Sequence, residues 1–282
     1  MGRRLLLTAV VLAGAITSVP AQAAAPVHYV ALGDSYSAAS GVWPPDPQAP
    51  PLCLRSTSNY PHVIAAGTGA ELTDVTCGAA QTKDFAGSQY PGVAPQLDAV
   101  TPDADLVTLT IGGNDNNTFI GAILACGTLG LASGGQGSPC QDTYGSHFED
   151  QIDESTLPAL REALQAIRHK APDAEVAILG YPWILPESGG CFEKMPVAGG
   201  DVAYLRSLQA HLNQAVATAA DDTGATYVDL SDVSEGHDAC QPQSTRWVEP
   251  VLFGTQVVPV HPNALGESGM AIETMRVLGL DR

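Results

Sequence analysis

Short apolar runs that stop at glycine, proline or a polar turn recur along the chain, and they predict five β-strands. The clearest is 105–111, where β-branched residues predominate and Gly112 and Gly113 end the run. The other four runs lie at 27–32, 72–77, 176–179 and 226–230. Five prolines between Pro44 and Pro51 predict an exposed, stiff loop after the first strand, because proline breaks regular structure.

Apolar residues three or four positions apart predict helices between these strands. One helix is predicted up to about Lys170, and its apolar face comprises Leu157, Leu160, Leu164 and Ile167. Others are predicted at 60–66, at 202–212 and in a last segment where Pro262 suits an early helical position. Strands separated by helices predict a parallel sheet covered on both faces, which is an α/β fold. Because no repeat or linker interrupts it, residues 24–282 are expected to form a single domain.

The first 23 residues are expected to be a secretory signal peptide. Two arginines precede an apolar run at 5–19, and Ala21-Gln22-Ala23 is a small-x-small cleavage site. The apolar run is too short to span a bilayer comfortably, so a membrane anchor is not favoured. The mature chain is expected to begin at Ala24, and no later than Pro26. The protein is therefore expected to be secreted.

Composition and charge restrict the partners of this protein. The 282 residues include 29 Gly and 21 Pro, an ordinary globular composition. Against 30 Asp plus Glu there are 12 Lys plus Arg, for a formal net charge of -18 at pH 7. Nucleic-acid binding requires clustered Lys and Arg and is not expected. An anionic membrane is likewise disfavoured as a permanent docking surface, so contact with lipid surfaces is expected to be transient at most. A monomer is expected.

The six cysteines form no C-x-x-C pair, so the spacing of a zinc ribbon is absent. In an oxidising compartment an even set of cysteines is expected to form disulfides. Sequential pairing is favoured because the members of each pair flank a segment between predicted elements. The expected pairs are Cys53 with Cys77, Cys126 with Cys140, and Cys191 with Cys240.

Three polar loops follow predicted strands. They are Gly33-Asp34-Ser35, Cys77-Gly78 and Gly113-Asn114-Asp115. In a parallel sheet these strand ends share one edge, where sites form. Any one of the loops could be a plain turn, but together they favour acyl transfer. Ser35 would be the nucleophile, and its own N–H, the Gly78 N–H and the Asn114 amide would be donors to an oxyanion.

The base is expected to be His261, which lies in a Val-His-Pro-Asn loop before the last helix. His237 is the competitor, although the neighbouring Cys240 suggests a structural role for that segment. The remaining histidines are expected at the surface or away from the catalytic edge of the sheet: His28, His62, His147, His169 and His211.

In this order the motifs resemble the four sequence blocks of the SGNH, or GDSL-type, hydrolases. The six-cysteine layout, Cys-Gly-Ala-Ala at 77–80 and Gly-His-Asp-Ala-Cys at 236–240 are similar to the secreted bacterial lipases and esterases of that family. The resemblance implies a flavodoxin-like three-layer α/β/α sandwich with a central parallel sheet of about five strands. It also implies Ser35 as nucleophile, His261 as base, and Ser35, Gly78 and Asn114 as oxyanion donors.

One position departs from the family pattern. An Asp commonly lies three residues before the catalytic His, whereas here that residue is Val258. We expect the backbone carbonyl of Val258 or Pro259 to accept from the His261 ring instead, with Asp232 or Asp238 as less favoured alternatives. A carbonyl can still select the imidazole tautomer, although it does not fully stabilise the imidazolium charge.

The substrate is less well defined by the sequence. Four apolar residues after Asn114 could line an acyl-chain site or could simply pack on the sheet: Phe119, Ile120, Ile123 and Leu124. The resemblance favours carboxylic esters with medium or long acyl chains, cleaved by a lipase, esterase or phospholipase A. Polysaccharide deacetylation, acyl transfer to an alcohol and a non-catalytic secreted binding protein are the alternatives. No cofactor and no metal are expected.

Overall fold

A parallel β-sheet forms the centre of the fold. The structure is a computed structural model that describes residues 25–281, so the predicted signal peptide at 1–23 lies outside the described residues. Within them the strands lie in the order β2-β1-β3-β4-β5, and all neighbours are parallel. The strands are β1 His28–Gly33, β2 Glu71–Asp74, β3 Leu106–Thr110, β4 Glu175–Leu179 and β5 Thr226–Val228.

The five strands are those that the sequence predicted, but β2 and β5 end earlier than expected. After β2, the Asp74 carboxylate accepts from the N–H and the hydroxyl of Thr76. After β5, the Asp229 carboxylate accepts from the Ser231 N–H. Each aspartate therefore closes a local turn that competes with continued strand pairing.

The helices of the described chain are α1 Ser35–Ala38, α2 Tyr60–Thr68, α3 Thr118–Ala132, α4 Pro139–Tyr144, α5 His147–Gln151, α6 Leu157–Lys170, α7 Asp201–Thr223, α8 Ser231–Ser234 and α9 Ala264–Val277. A π-helical segment at Ile152–Thr156 joins α5 to α6. Among residues 25–281, no helix has the length and apolarity needed to cross a membrane.

The start of one helix and the presence of another differ from the predictions. The Asn263 side chain accepts from the N–H groups of Leu265 and Gly266, and it thereby caps α9. Pro262 therefore precedes the helix instead of lying within it. Helix α3 was not predicted, because three glycines interrupt its sequence. Gly130 is required there by packing, since a Cβ would lie 2.3 Å from the Pro196 carbonyl oxygen.

Alternate residues of β1 face two separate cores. Tyr29 and Ala31 pack in the core formed with α2, α3, α9 and most of α7. Val30 and Leu32 pack in the other core, formed with α6 and the end of α7. This period of two places helices on both faces of the sheet. The fold is therefore the three-layer α/β/α sandwich that the sequence predicted.

Three disulfides connect the loops to this framework: Cys53–Cys77, Cys126–Cys140 and Cys191–Cys240. These are the pairs that the sequence suggested. The first joins the proline-rich loop to the turn after β2, the second joins α3 to α4, and the third joins the loops after β4 and α8. The first disulfide therefore lies at the sheet edge that carries the polar loops.

Candidate active site

The carboxyl ends of the strands bring Ser35, Asn114 and His261 together. All three line a cleft of about 330 Å³, and they also line a smaller cavity of about 30 Å³ on the side of α3. Ser35 begins α1 directly after β1, Asn114 follows β3, and His261 precedes α9. The predicted convergence of strand ends thus accounts for the positions of Ser35 and Asn114, whereas His261 lies on the loop before α9.

Tight packing after β1 determines where Ser35 lies. Gly33 has φ +121°, and a Cβ there would lie 2.4 Å from the Thr110 carbonyl oxygen, so glycine is required. The Asp34 N–H donates to that same oxygen at 2.9 Å. The Asp34 carboxylate then caps α1 by accepting from the Tyr36 N–H. Ser35 is therefore held at the first turn of a helix, beside the cleft.

The buried Asp34 carboxylate forms hydrogen bonds that connect three elements of the fold. It accepts from the Thr110 hydroxyl at 2.7 Å and from the Tyr181 hydroxyl at 2.6 Å. Burial raises the pKa of Asp34 to about 6, although these hydrogen bonds act in the opposite direction. These contacts join the Ser35 loop to Thr110 at the end of β3 and to Tyr181 after β4, and none of them is with His261.

Ser35 and His261 form a hydrogen-bonded pair. The His261 Nε2 lies 2.7 Å from the Ser35 Oγ, and the His261 Nδ1 lies 2.7 Å from the Pro259 carbonyl oxygen. A carbonyl oxygen can only accept, so Nδ1 carries the hydrogen and Nε2 is free to accept from the serine hydroxyl. Burial lowers the pKa of His261, while the bond to Pro259 partly opposes this effect.

The sequence suggested four acceptors for the His261 ring, and the structure places the Pro259 carbonyl in that position. The Val258 carbonyl accepts instead from the Gln256 amide at 3.3 Å. Asp238 is buried, and its carboxylate accepts from Cys240 N–H and the Gln241 side chain. Asp232 is exposed on α8. Within residues 25–281, no carboxylate lies within hydrogen-bond distance of His261.

The loop of His261 is paired with a second backbone segment. The Glu249 N–H donates to the His261 carbonyl at 2.9 Å, and the Val260 N–H donates to the Glu249 carbonyl at 2.8 Å. The buried Glu249 carboxylate accepts from Arg246 and from Asn263. Burial alone would raise the pKa of Glu249, but these donors lower it below its ordinary value. The carboxylate therefore remains charged and anchors the loop of His261.

The donors that are available beside the cleft differ at one position from the oxyanion donors expected from the sequence. Gly78 was expected to donate, but its N–H is engaged with the Cys53 carbonyl at 2.7 Å. Its neighbour Ala79 has φ +62°, is exposed and lines the cleft. Within the described chain, the N–H groups of Ser35 and Ala79 donate to no other residue. The Asn114 amide uses one hydrogen on the Ala80 carbonyl at 3.1 Å and retains the second.

Three available donors beside a Ser–His pair are the components that ester cleavage requires. Residues 31–268 match the sequence model of the GDSL-like lipase/acylhydrolase family. The chain belongs to this family. This GDSL hydrolase is 66% identical over 266 residues to Lipase 2 of Streptomyces coelicolor, an alignment that covers 94% of this chain and 90% of that protein. Its enzymatic class is that of an ester hydrolase.

Solved structures agree with this assignment. Phospholipase A1 from Streptomyces albidoflavus NA297 is 27% identical to the GDSL hydrolase, with a TM-score of 0.75. That comparison covers 92% of this chain and 100% of the other. The extracellular lipase of Streptomyces rimosus is 29% identical, with a TM-score of 0.74 and coverage of 91% and 100%. The SGNH resemblance expected from the sequence motifs is therefore confirmed.

The structure resolves the alternatives for the apolar residues after Asn114. Phe119 and Ile123 are buried in the core of the GDSL hydrolase and also line the small cavity. Ile120 lines both the cavity and the larger cleft. Leu124 is exposed and lines neither. Core packing and contact with the cleft are thus combined on one face of α3.

His237 takes no part in the site. Its ring stacks on Trp247 with the centroids 4.9 Å apart, and its Nδ1 lies 2.6 Å from the Thr245 carbonyl oxygen. These contacts fit the structural role that Cys240 suggested. His237 therefore stabilises the loops beside the third disulfide.

The sequence interpretation missed Tyr181, which joins two of the polar loops. Its hydroxyl accepts from the Gly113 N–H at 2.9 Å and donates to Asp34. Tyr181 follows the end of β4, so the rule that placed the other loops at this edge could have identified it. Ala79 was also missed, because nothing in the local sequence indicates a left-handed alanine.

Proposed function

We propose that this hydrolase cleaves carboxylic esters of lipids through an acyl-enzyme on Ser35, with His261 as the general base. The observation that carries the proposal is the arrangement of the imidazole between two partners. The Ser35 Oγ and the Pro259 carbonyl oxygen each lie 2.7 Å from a ring nitrogen of His261. This geometry supports transfer of the serine proton to Nε2.

In the first half-reaction, Ser35 Oγ attacks the ester carbonyl carbon while its proton moves to His261 Nε2. The resulting oxyanion accepts hydrogen bonds from the N–H groups of Ser35 and Ala79 and from the Asn114 amide. The imidazolium then gives its proton to the departing alcohol, which leaves the acyl group on Ser35. In the second half-reaction, His261 takes a proton from water as the water oxygen attacks the acyl carbon. The imidazolium then returns this proton to the Ser35 Oγ, which leaves as the carboxylic acid is released.

The Pro259 carbonyl supplies part of what a carboxylate supplies in a triad. It holds the proton on Nδ1, so the imidazole is oriented as an acceptor toward Ser35. It carries no full negative charge and stabilises the imidazolium less than an aspartate does. The proposed catalytic unit is therefore a Ser35–His261 dyad, supported by backbone.

The lining of the larger cleft supports a lipid ester as substrate. Its apolar lining includes Leu52 and Leu54, and Ile120 of α3. Apart from His261, the described residues that line this cleft include no ionisable acid or base other than Tyr90. An acyl chain would therefore lie among uncharged side chains. Several Streptomyces relatives are named lipase or phospholipase A1, which agrees with this class of substrate, and one is named an esterase.

Secretion is proposed together with this function. The N-terminal pattern predicts cleavage after Ala23, and three disulfides in the described chain suit an oxidising compartment. The S. rimosus relative is named an extracellular lipase. N-terminal sequencing of protein from the culture medium tests this proposal, and an intact Met1 on exported protein would contradict it.

The test of function compares Ser35→Ala with Ser40→Ala. Both serines line the cleft, and the Ser40 Oγ is buried with no hydrogen-bond partner. Ser35→Ala is expected to abolish ester hydrolysis, whereas Ser40→Ala is expected to retain it. A phosphonate ester should label Ser35 alone, as peptide mass mapping will report. Labelling of another serine, or full activity of Ser35→Ala, would refute the assignment.

A series of esters from acetyl to palmitoyl, with phospholipids alongside, defines the substrate. A preference for medium or long chains supports a lipase or phospholipase. A strict preference for acetyl groups, on polysaccharide as well as on soluble esters, would instead support the acetylesterase alternative. Added alcohols measure acyl transfer, since an alcohol competes with water at the same acyl-enzyme.

A further inference from the structure

Val260, the residue before His261, has an unusual backbone conformation. Its φ is +60°, in the left-handed region. A β-branched residue rarely adopts this conformation, because its side chain is crowded there, and such residues persist only where surrounding contacts impose them. The contacts of Val260 therefore identify the groups that hold it.

Backbone pairing holds Val260 from one side. Its N–H donates to the Glu249 carbonyl at 2.8 Å, and the Glu249 N–H donates to the His261 carbonyl at 2.9 Å. These two bonds fix the peptide group before Val260 and the peptide group after His261. They leave the carbonyl of Val260 itself free to accept from elsewhere.

A side chain from the nucleophile helix meets that carbonyl. The Tyr36 hydroxyl donates to the Val260 carbonyl oxygen at 2.7 Å. Tyr36 follows Ser35 in α1, and its ring centroid lies 5.2 Å from that of His261. Burial raises the pKa of Tyr36 far above its ordinary value, so the hydroxyl remains a proton donor. One side chain thus joins the helix of the nucleophile to the loop of the base.

The conformation of Val260 controls the hydrogen bond that orients the base. The acceptor for His261 Nδ1 is the Pro259 carbonyl, and Val260 is the one residue between them. Any change in the φ and ψ angles of Val260 therefore moves the imidazole relative to its acceptor. In a triad the acceptor would be a separate side chain, and this dependence would not exist.

We propose that Tyr36 is a positioning residue for the base: its hydroxyl holds the Val260 carbonyl and thereby keeps His261 aligned between Pro259 and Ser35. The proposal rests on the proposed function, because it assumes that His261 is the base. It assigns the hydroxyl of Tyr36 a purpose beyond packing. The aromatic ring alone would fill the same space.

The test compares Tyr36→Phe with Tyr29→Phe. Tyr29 is a suitable control because it is fully buried and its hydroxyl bonds to Thr108 within the sheet at 2.6 Å. Tyr36→Phe is expected to lower kcat about tenfold on a soluble nitrophenyl ester, with KM changed less than about twofold. Tyr29→Phe is expected to leave kcat within about twofold of the parent enzyme. Melting temperatures are measured for both.

The pH profile separates positioning from simple loss of stability. If the bond from His261 to Pro259 weakens, the imidazolium loses stabilisation and the pKa of His261 falls further. The acidic limb of kcat/KM should therefore move to lower pH in Tyr36→Phe and stay in place in Tyr29→Phe. An unchanged kcat in Tyr36→Phe, or an equal loss in the two variants, would overturn the proposal.

Val260→Gly tests the same idea from the other side. Glycine adopts a positive φ without strain, so the loop should depend less on the Tyr36 hydroxyl. In this background Tyr36→Phe should lower kcat by less than about threefold, and the double variant should fold even if Tyr36→Phe alone does not. A full tenfold loss in the glycine background would show that Tyr36 does not act through Val260.

Failure of this proposal is distinguishable from failure of the proposed function. Ser35 labelling by the phosphonate and the inactivity of His261→Ala test the dyad itself. If both hold and Tyr36→Phe remains fully active, the dyad stands and only the positioning role is wrong. If His261→Ala is active, the proposed function fails first.

Discussion

The Nδ1 of His261 lies 2.7 Å from the carbonyl oxygen of Pro259, an acceptor in its own loop. In the serine-protease template the equivalent acceptor is a buried carboxylate, whose amide replacement lowers kcat about 10⁴-fold, largely through the wrong tautomer. A backbone carbonyl oxygen is always an acceptor, so it cannot stabilise the wrong tautomer of the imidazole. The dyad therefore forgoes charge stabilisation but keeps the imidazole correctly oriented.

We expect that no single carboxylate is as important for catalysis as His261. His261→Ala should lower kcat nearly as far as Ser35→Ala, whereas Asp232→Asn and Asp238→Asn should each keep most activity. Asp232 is exposed, and Asp238 binds only its local loop. Initial rates on a soluble ester, with melting temperatures, test this. A loss at Asp232 or Asp238 that approaches that of His261→Ala, with unchanged stability, would restore a triad.

The low pKa of His261 predicts activity in mildly acidic solution. Catalysis needs the neutral imidazole, and burial keeps the pKa of His261 below its ordinary 6.5. The acidic limb of kcat/KM should therefore have its midpoint below pH 6.5, with full activity above it. Because the pKa of Asp34 is raised to about 6, NMR titration of the His261 ring is needed to assign the limb. A His261 midpoint at or above 6.5 would contradict this prediction.

The sequence predicted Ser35 and Asn114 as site residues because each follows a strand end, and it predicted His261 from its chemistry and its place before the last helix. Its expectation that the Gly78 N–H donates to the oxyanion does not match the hydrogen bond that this N–H makes in the structure, and the reason is physical. Position 78 requires glycine because a Cβ there would lie 3.0 Å from the Cys53 carbonyl oxygen. The Gly78 N–H also donates to that same oxygen. The need for glycine thus reflects packing beneath the turn. The available N–H belongs to Ala79, and alanine gives no sign of a left-handed conformation.

The sequence also could not predict contacts between residues that are far apart in the chain. Tyr36 meets Val260 across 224 positions of the chain, and no periodic pattern connects them. The choice between the carbonyls of Val258 and Pro259 depended on the φ of Val260, which residue type would not suggest. By contrast, the parallel sheet with a core on each face follows from strands that are separated by helices along the chain, which is a local pattern.

The side-chain amide of Asn114 should contribute to kcat rather than to binding. Its free hydrogen lies beside the cleft, where it can meet the oxyanion that forms only during reaction. Asn114→Ala is therefore expected to lower kcat by about 10² to 10³, with little change in KM. Steady-state kinetics on a soluble ester measure both constants. An effect confined to KM would mean that Asn114 binds substrate instead.

The disulfide Cys53–Cys77 should affect activity more than Cys191–Cys240 does. The first disulfide joins Cys53, whose carbonyl accepts from the Gly78 N–H, to Cys77, which directly precedes Gly78. It therefore fixes the turn that carries Ala79. Replacing both cysteines of either pair by serine should cost about 2 to 4 kcal/mol of stability. The Cys53 and Cys77 pair should in addition lower kcat at a temperature where both variants are folded. Equal kcat values would show that the turn does not need this disulfide.

The buried carboxyl of Glu267 should make stability depend on pH. Glu267 is fully buried on α9, where Oε2 accepts from the Tyr60 N–H at 2.7 Å and Oε1 has no hydrogen-bond partner. Burial raises the pKa of Glu267 well above its ordinary value, so the folded state binds a proton that the unfolded chain releases above about pH 4.5. The stability that this protonated carboxyl provides is present below that pH and falls as pH rises toward the native pKa.

Glu267→Gln removes this proton equilibrium, and an amide oxygen can still accept from Tyr60. The variant should match the parent near pH 4, and its advantage in unfolding free energy should grow by up to about 1.4 kcal/mol per pH unit above pH 4.5. Urea denaturation between pH 4 and pH 8 measures the difference. Glu162→Gln, at an exposed position on α6, is the control and should show no such slope. A constant difference between Glu267→Gln and the parent across this range would mean that Glu267 is ionised in the folded protein.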